Sequence, residues 1–236
     1  MKWLVDTTYR SKEKEIMDDF SMKGDLLRDT LNTLGRINKW LGGNAVTING
    51  IKKVLSNVPN NDTISIVDLG CGHGDMLRQV ADFGRNRNYK FNLIGIDANK
   101  DAIDYAKALS VDYPEISYKN VDIFSEEFQT DTYDIVLATL FLHHFNEKEI
   151  KQLLKVLSNN SNLGIVINDL HRHRLAYYLF KLLSLTINNT MIKQDGLTSI
   201  LRAFKRNELK TFAKELNLRS EIYWKWAFRY QWLILK

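Results

Sequence analysis

Two prolines and one cysteine are all that 236 residues contain of either. A single thiol, Cys71, has no internal partner; no intrachain disulfide can hold the fold, and a reducing, cytoplasmic setting is the expectation. With so little proline, no Ser/Gly-rich tract and no internal repeat, nothing in the chain reads as a linker between independent domains. Long apolar runs are missing too. The best candidate, Leu175 to Ile187, falls short of the roughly 20 residues a membrane span needs and is interrupted by Lys181. The start of the chain shows no apolar signal region. Neither charge is massed: 33 Lys and Arg against 28 Asp and Glu leave +5, spread along the sequence. That pattern reads as a mixed solvated surface, so a nucleic-acid partner is not expected.

What remains is a 44% hydrophobic chain, enough for one sizeable core with additions. From Arg10 to Asn57 apolar residues recur at three- and four-residue steps, broken at Gly24, Gly42 and Gly43. Three or four short helices are predicted there, forming an N-terminal helical cap over residues 1–60. Strand and helix then alternate: strands at Ile64–Leu69, Asn92–Asp97, Ile116–Val121, Tyr133–Ala138 and Leu163–Asn168, and helices at Asp75–Phe83, Lys100–Ser110 and Glu147–Ser158, with a short helix or turn near Ser125–Gln129. Runs such as Ile135-Val136-Leu137-Ala138 are apolar on both faces, as buried parallel strands are. The alternation predicts an α/β fold with a doubly wound, Rossmann-like sheet over residues 61–236. Residues 169–204 are too long for a plain connection and read as a lid-like helical insertion after the fifth strand. A helix at Lys205–Glu215 follows, then Ser220–Trp226 and Arg229–Leu235, which read as a closing antiparallel pair.

The richest segment is Val67-Asp68-Leu69-Gly70-Cys71-Gly72-His73-Gly74-Asp75, where an apolar strand ends in an acid and three alternate glycines. Gly70 and Gly72 let backbone approach a ligand closely. The spacing is G-x-G-x-G, not the G-x-G-x-x-G of dinucleotide sites, and Asp75 stands where a pyrophosphate would meet the helix. Ligands of such sheets sit at the carboxyl ends of the strands, and here those ends carry Asp68, Asp97 and Asp122. Asp97 has nearly the spacing of an acid that takes two ribose hydroxyls, and Asp122 is placed to accept from an adenine amino group. Asp68 and Asp75 can face an ammonium. Convergent carboxylates fit the cationic S-adenosylmethionine better than a dinucleotide, which makes a nicotinamide dehydrogenase a poor rival.

At this point the chain resembles the class I S-adenosylmethionine-dependent methyltransferases over roughly Ile64 to Asn168. The resemblance implies a seven-stranded sheet of order 3-2-1-4-5-7-6 with the last strand antiparallel. It implies that Asp68, Gly70, Cys71 and Gly72 hold the methionine part, Asp97 with its neighbour Ala98 the ribose, Asp122 and Ile123 the adenine, and Thr139 and Leu140 the surroundings of the sulfur. Leu140-Phe141-Leu142-His143-His144-Phe145 is similar to the small-molecule branch that includes ubiquinone and menaquinone-biosynthesis methyltransferases.

The fourth strand ends in Ala138-Thr139-Leu140-Phe141, without the Asn/Asp-Pro-Pro-Tyr run of DNA-adenine and glutamine methyltransferases or the paired glutamates of arginine methyltransferases. Asn168-Asp169 stands in reversed order from the magnesium site of catechol methyltransferases, and Thr139 replaces its first acid, so no metal is expected. Candidate bases are His143 and His144 after strand four and His171 and His173 after strand five. Arg172 and Arg174 are candidates for an anionic group on the acceptor, and Tyr177 on an apolar helix and Trp40 in the cap are candidates for the acceptor wall, with Trp3, Tyr9 and Phe20 covering the same cleft. The expected reaction is methylation of a small hydrophobic or aromatic metabolite, at oxygen, by a monomer or homodimer. RNA or protein methylation, suggested by Lys205, Arg206 and Lys210, is the rival among enzymes; a binding module without transfer activity is the rival outside them.

Overall fold

The computed structural model describes residues 4–59 and 62–236; Trp3 lies outside them. Seven strands, β1 (Thr63–Leu69), β2 (Lys90–Asp97), β3 (Ile116–Asn120), β4 (Tyr133–Thr139), β5 (Ser161–Leu170), β6 (Ser220–Lys225) and β7 (Arg229–Leu235), form one sheet in the order β3-β2-β1-β4-β5-β7-β6. β1 to β5 are parallel, and β7 enters antiparallel to both β5 and β6, as the sequence leads one to expect. The turn between β6 and β7 leaves Phe228 at φ 53°. One sheet face packs a core in which Trp232, Phe204 and Phe128 are buried; the other packs Ile51, Ile66 and Leu77.

Helices α1 (Gly24–Trp40) and α2 (Gly43–Val54) make up the cap, followed by α3 (Asp75–Arg87), α4 (Lys100–Leu109), α5 (Glu126–Thr130), α6 (Glu147–Asn160), α7 (Arg174–Leu183), α8 (Thr190–Arg202) and α9 (Arg206–Glu215). Two of these differ from the sequence reading for visible reasons. α3 runs through Gly84 to Arg87, because that glycine is no stop: a Cβ there would lie 2.6 Å from the Phe91 ring, and the helix ends instead at Asn88 with φ 58°. Residues 5–15, of which those from Arg10 on are predicted helical, run as an extended strap across the carboxyl ends of the strands, followed by one 3-10 turn at Ile16–Asp18. Their backbone is bonded outward, Ser11 N–H to Leu201 O (2.9 Å) and Ile16 and Met17 N–H to the Asp195 carboxylate (2.8 and 3.0 Å), so tertiary partners override local periodicity.

α2 lies against β5 and β7. Gly50 in its middle allows this approach, since a Cβ would come within 2.4 Å of Val166 Cγ1. The 169–204 segment supplies the last residues of β5 and then α7 and α8, which stand over the sheet beside the strap. No helix among the described residues is long and apolar enough to cross a membrane.

Candidate active site

The β1 loop has the backbone its glycines require: Gly70, Gly72 and Gly74 sit at φ 64°, 52° and 75°. A Cβ on Gly70 would lie 2.3 Å from the Phe141 ring, so the loop and the end of β4 close on each other only because that Cβ is missing. Asp68, at the floor, is buried, and its Oδ1 has no partner. Burial first, and then the charges of Asp75 and Asp97, push its carboxyl well above the usual range. Asp97 accepts from Gly72 N–H and Asn99 N–H, each at 2.9 Å, and burial raises it as well. An unpaired buried acid beside two further carboxylates is a place for a cation. The Cys71 thiol is buried and pushed up, chiefly by burial, so it is no nucleophile.

These groups open on one cleft of about 1600 Å³. Asp68, Gly70, Cys71, Gly72, Asp97, Ala98, Ile123, Thr139 and Leu140 all line it. Asp122 does not: it is exposed, and its Oδ1 accepts from Phe124 N–H (2.9 Å) to cap the following turn. Val121 and Ile123 supply the cleft wall at that strand end instead. Leu140, at φ 52°, is held by its N–H to Asn168 O (2.8 Å).

Beyond β4 the strap brings in acids that sequence reasoning missed. His144 Nδ1 is 2.6 Å from Asp18 Oδ1, and Asp18 Oδ2 accepts from Arg202 Nη1 at 2.6 Å. Burial pushes Asp18 up, but the hydrogen bonds and charges of His144 and Arg202 outweigh it and hold the carboxyl below its ordinary value. His143 is buried between Asp169 Oδ1, 2.7 Å from its Nδ1, and Glu15 Oε1, 3.6 Å from its Nε2. Burial raises Glu15, while at Asp169 the pull of His143 overcomes burial and lowers the carboxyl. Glu15, His143 and His144 present ligand atoms within 4.8 Å of one another. Arg202 Nε, 3.8 Å from Glu15 Oε1, already supplies a cation there. Arg10 fixes the same corner, donating to the carbonyls of His143 (3.1 Å), Phe145 (2.9 Å) and Arg202 (2.7 Å). Glu15 and Asp18 give no sequence signal, because their histidine, serine and arginine partners lie 126 to 187 residues away.

His171 lines the cleft near the β6–β7 turn. Burial, with His173, Arg172 and Lys205, lowers it to about 4. Trp224 Nε1 donates to its Nδ1 (3.3 Å), which leaves the ring proton on Nε2. His173 points away and caps α7 through Leu175 N–H. The two arginines expected to meet an anion are otherwise engaged. Arg172 is buried, paired with Glu208 (2.5 and 3.0 Å) and donating to the carbonyls of Thr7, Thr8 and Ala203. Arg174 lies on the surface with Nε on Val5 O (3.1 Å). Tyr177 packs on Tyr178 outside the lining, and α7 presents Ala176, Leu179, Phe180 and Leu183 instead. Tyr9, Phe20 and Trp40 do line the cleft.

Residues 66–160 match a family model described as a methyltransferase domain. Over those residues the chain is similar to a methyltransferase domain, and its strand order is that of a class I S-adenosylmethionine-dependent methyltransferase fold. The chain is 29% identical over 120 residues, 51% of its length, to pavine N-methyltransferase of Thalictrum flavum subsp. glaucum, and it spans about a third of that relative's length (33%). In fold it is similar to the plantazolicin methyltransferase BpumL in complex with SAH (TM-score 0.66, 16% identity, 90% of this chain and 91% of that one). It is also similar to an O-methyltransferase family protein from Burkholderia thailandensis (TM-score 0.66, 12% identity, 94% and 63%).

Proposed function

We propose that the protein moves a methyl group from S-adenosylmethionine to an oxygen of a small, largely apolar acceptor, with Asp18 and His144 as the proton-accepting pair. The observation that carries this is the Asp18–His144 contact at 2.6 Å on the wall of the cleft that also holds Asp68 and Asp97. The orphaned Asp68 Oδ1 suits the ammonium of the cofactor, the Asp97 carboxylate suits the ribose hydroxyls, and Ile123 suits the adenine face. When bound, the cofactor would supply an electrophilic methyl group on a sulfonium, with the neutral thioether of S-adenosylhomocysteine as the leaving group.

The rest falls to the chain. Asp18, held charged by its contacts with His144 and Arg202, accepts a hydrogen bond from His144 Nδ1–H and so directs the lone pair of that ring to Nε2. His144 is a quarter exposed, open enough to take a hydroxyl proton as the acceptor oxygen attacks. His143 stays locked between Asp169 and Glu15 and orients its neighbour, while His171 offers an N–H donor. Phe180 and Leu183 of α7 line the cleft with apolar surface that excludes water from an acceptor. The O-methyltransferase family protein and the plantazolicin methyltransferase among the structural neighbours support a small acceptor. The test is incubation with methyl-labelled S-adenosylmethionine and panels of phenols, quinols, acyl compounds, RNA and protein. Label is expected in a phenolic or enolic compound; transfer to RNA or protein alone would overturn the reading.

A further inference from the structure

Arg229 opens β7, opposite Leu170 of β5, and is 2% exposed. Its Nε and Nη1 are buried without any hydrogen-bond partner. The opposite charge acting on it is Asp169, but the Asp169 oxygens already accept from His143 and from Leu170 N–H. Burial accordingly lowers the guanidinium to about 10. A buried cation with no hydrogen-bonded partner on Nε and Nη1 is costly, and the charge of Asp169 offsets that cost only in part.

A second positive feature faces the first. The guanidinium lies against the first residue of α2: a Cβ on Gly43 would be 2.9 Å from Arg229 Cζ. The 12-residue α2 starts at Gly42 with φ 74° and has no side-chain cap, so its leading N–H groups carry their partial positive charge uncompensated. Asn44 in that first turn adds a buried Nδ2 without a partner. Arg229 and Asn38 both line the cleft, and Asn38 brings one unpaired acceptor, Oδ1, to the same wall.

We propose that Arg229, on the wall of the cleft with the N-terminus of α2 packed beside its guanidinium, forms a carboxylate-binding subsite, which holds a methyl acceptor bearing a carboxylate. A carboxylate matches the guanidinium fork and the helix end together. The unpaired Asn38 Oδ1 favours one with a neighbouring hydroxyl. The site belongs to the acceptor because of its place in the sheet: β7 is three strands from β1, roughly 14 Å at the usual strand spacing. This rests on the small-acceptor reading above and narrows it to anionic molecules.

The experiment measures binding by calorimetry in the presence of S-adenosylhomocysteine. Probes are salicylate, 4-hydroxybenzoate and cinnamate, each beside its amide. The wild type is expected to bind at least one carboxylate tenfold or more tighter than its amide. Arg229→Met should erase that preference and leave S-adenosylhomocysteine affinity within twofold. Its melting temperature should hold or rise, since an uncompensated charge is removed, and Arg229→Lys should keep part of the preference. Equal binding of acid and amide, no binding of any acid, or loss of fold in both variants overturns the proposal. So does Arg229→Met weakening S-adenosylhomocysteine but not 5′-methylthioadenosine, which would give the guanidinium to the cofactor's own carboxylate. Binding is read without turnover: carboxylates that bind yet are never methylated would sink the methyl-transfer reading and leave the subsite standing.

Discussion

At the scale of single residues, the proposed function rests on carboxylates whose partners differ. Asp97 spends one lone pair on Gly72 N–H and one on Asn99 N–H and keeps the rest for a ligand. Asp97→Ala is expected to weaken S-adenosylmethionine about tenfold, roughly 1.4 kcal/mol, by calorimetry; unchanged affinity would remove Asp97 from the site. Asp18 and His144 act as one unit, so their losses should not add. His144→Ala and Asp18→Asn should each lower turnover by about 10²-fold or more with cofactor affinity preserved, and the double variant should be little worse than either. Additive losses would mean that the two residues work separately. These residues also mark where sequence reading runs out. The glycine loop and Asp97 were legible because strand, turn and acid follow one another. Asp122 shared the pattern, yet it caps a turn at the surface. Arg172 and Arg229 look alike as letters; one is paired with Glu208, 36 residues on, and the other has Nε and Nη1 without a hydrogen-bond partner among the described residues.

At the scale of elements, the alternation of β and α was legible because parallel strands buried on both faces and amphipathic helices carry opposite periods. The strap was not, since apolar and charged residues at helical spacing were recruited by Asp195, Arg202 and Leu201 into an extended path. α2 shows the converse case, where a residue unfavourable to its own helix is required by the next layer. Gly50→Ala should gain up to about 1 kcal/mol of helix propensity. The new methyl would meet Val166 Cγ1 at 2.4 Å and Leu233 Cδ2 at 3.2 Å in a filled core, a strain of about 1–3 kcal/mol. A net loss of about 1 kcal/mol in urea unfolding is expected, and a gain would show that α2 can shift off the sheet.

At the scale of the whole molecule, pH sets opposing forces. Asp68 and Glu15, raised by burial, favour the folded state as pH falls through their range. His171 works the other way: it is lowered to about 4 from an ordinary 6.5, so between those values the unfolded chain binds the extra proton. Its share of stability is complete above about pH 6.5 and drains away toward pH 4. The difference in melting temperature between wild type and His171→Gln should therefore change steadily across that window and be flat above it; a flat difference throughout would mean that the ring titrates normally. Finally, the strap has a consequence in time. Residues 10–18 leave the ribosome before Asp195, Ser199 and Arg202, which seat them and come more than 175 residues later. The β1 loop and its acids can assemble from sequence neighbours while the chain is still growing. The corner of Asp18, His144 and Arg202 cannot, so on the proposed mechanism the proton acceptor is completed only after the β1 loop is in place.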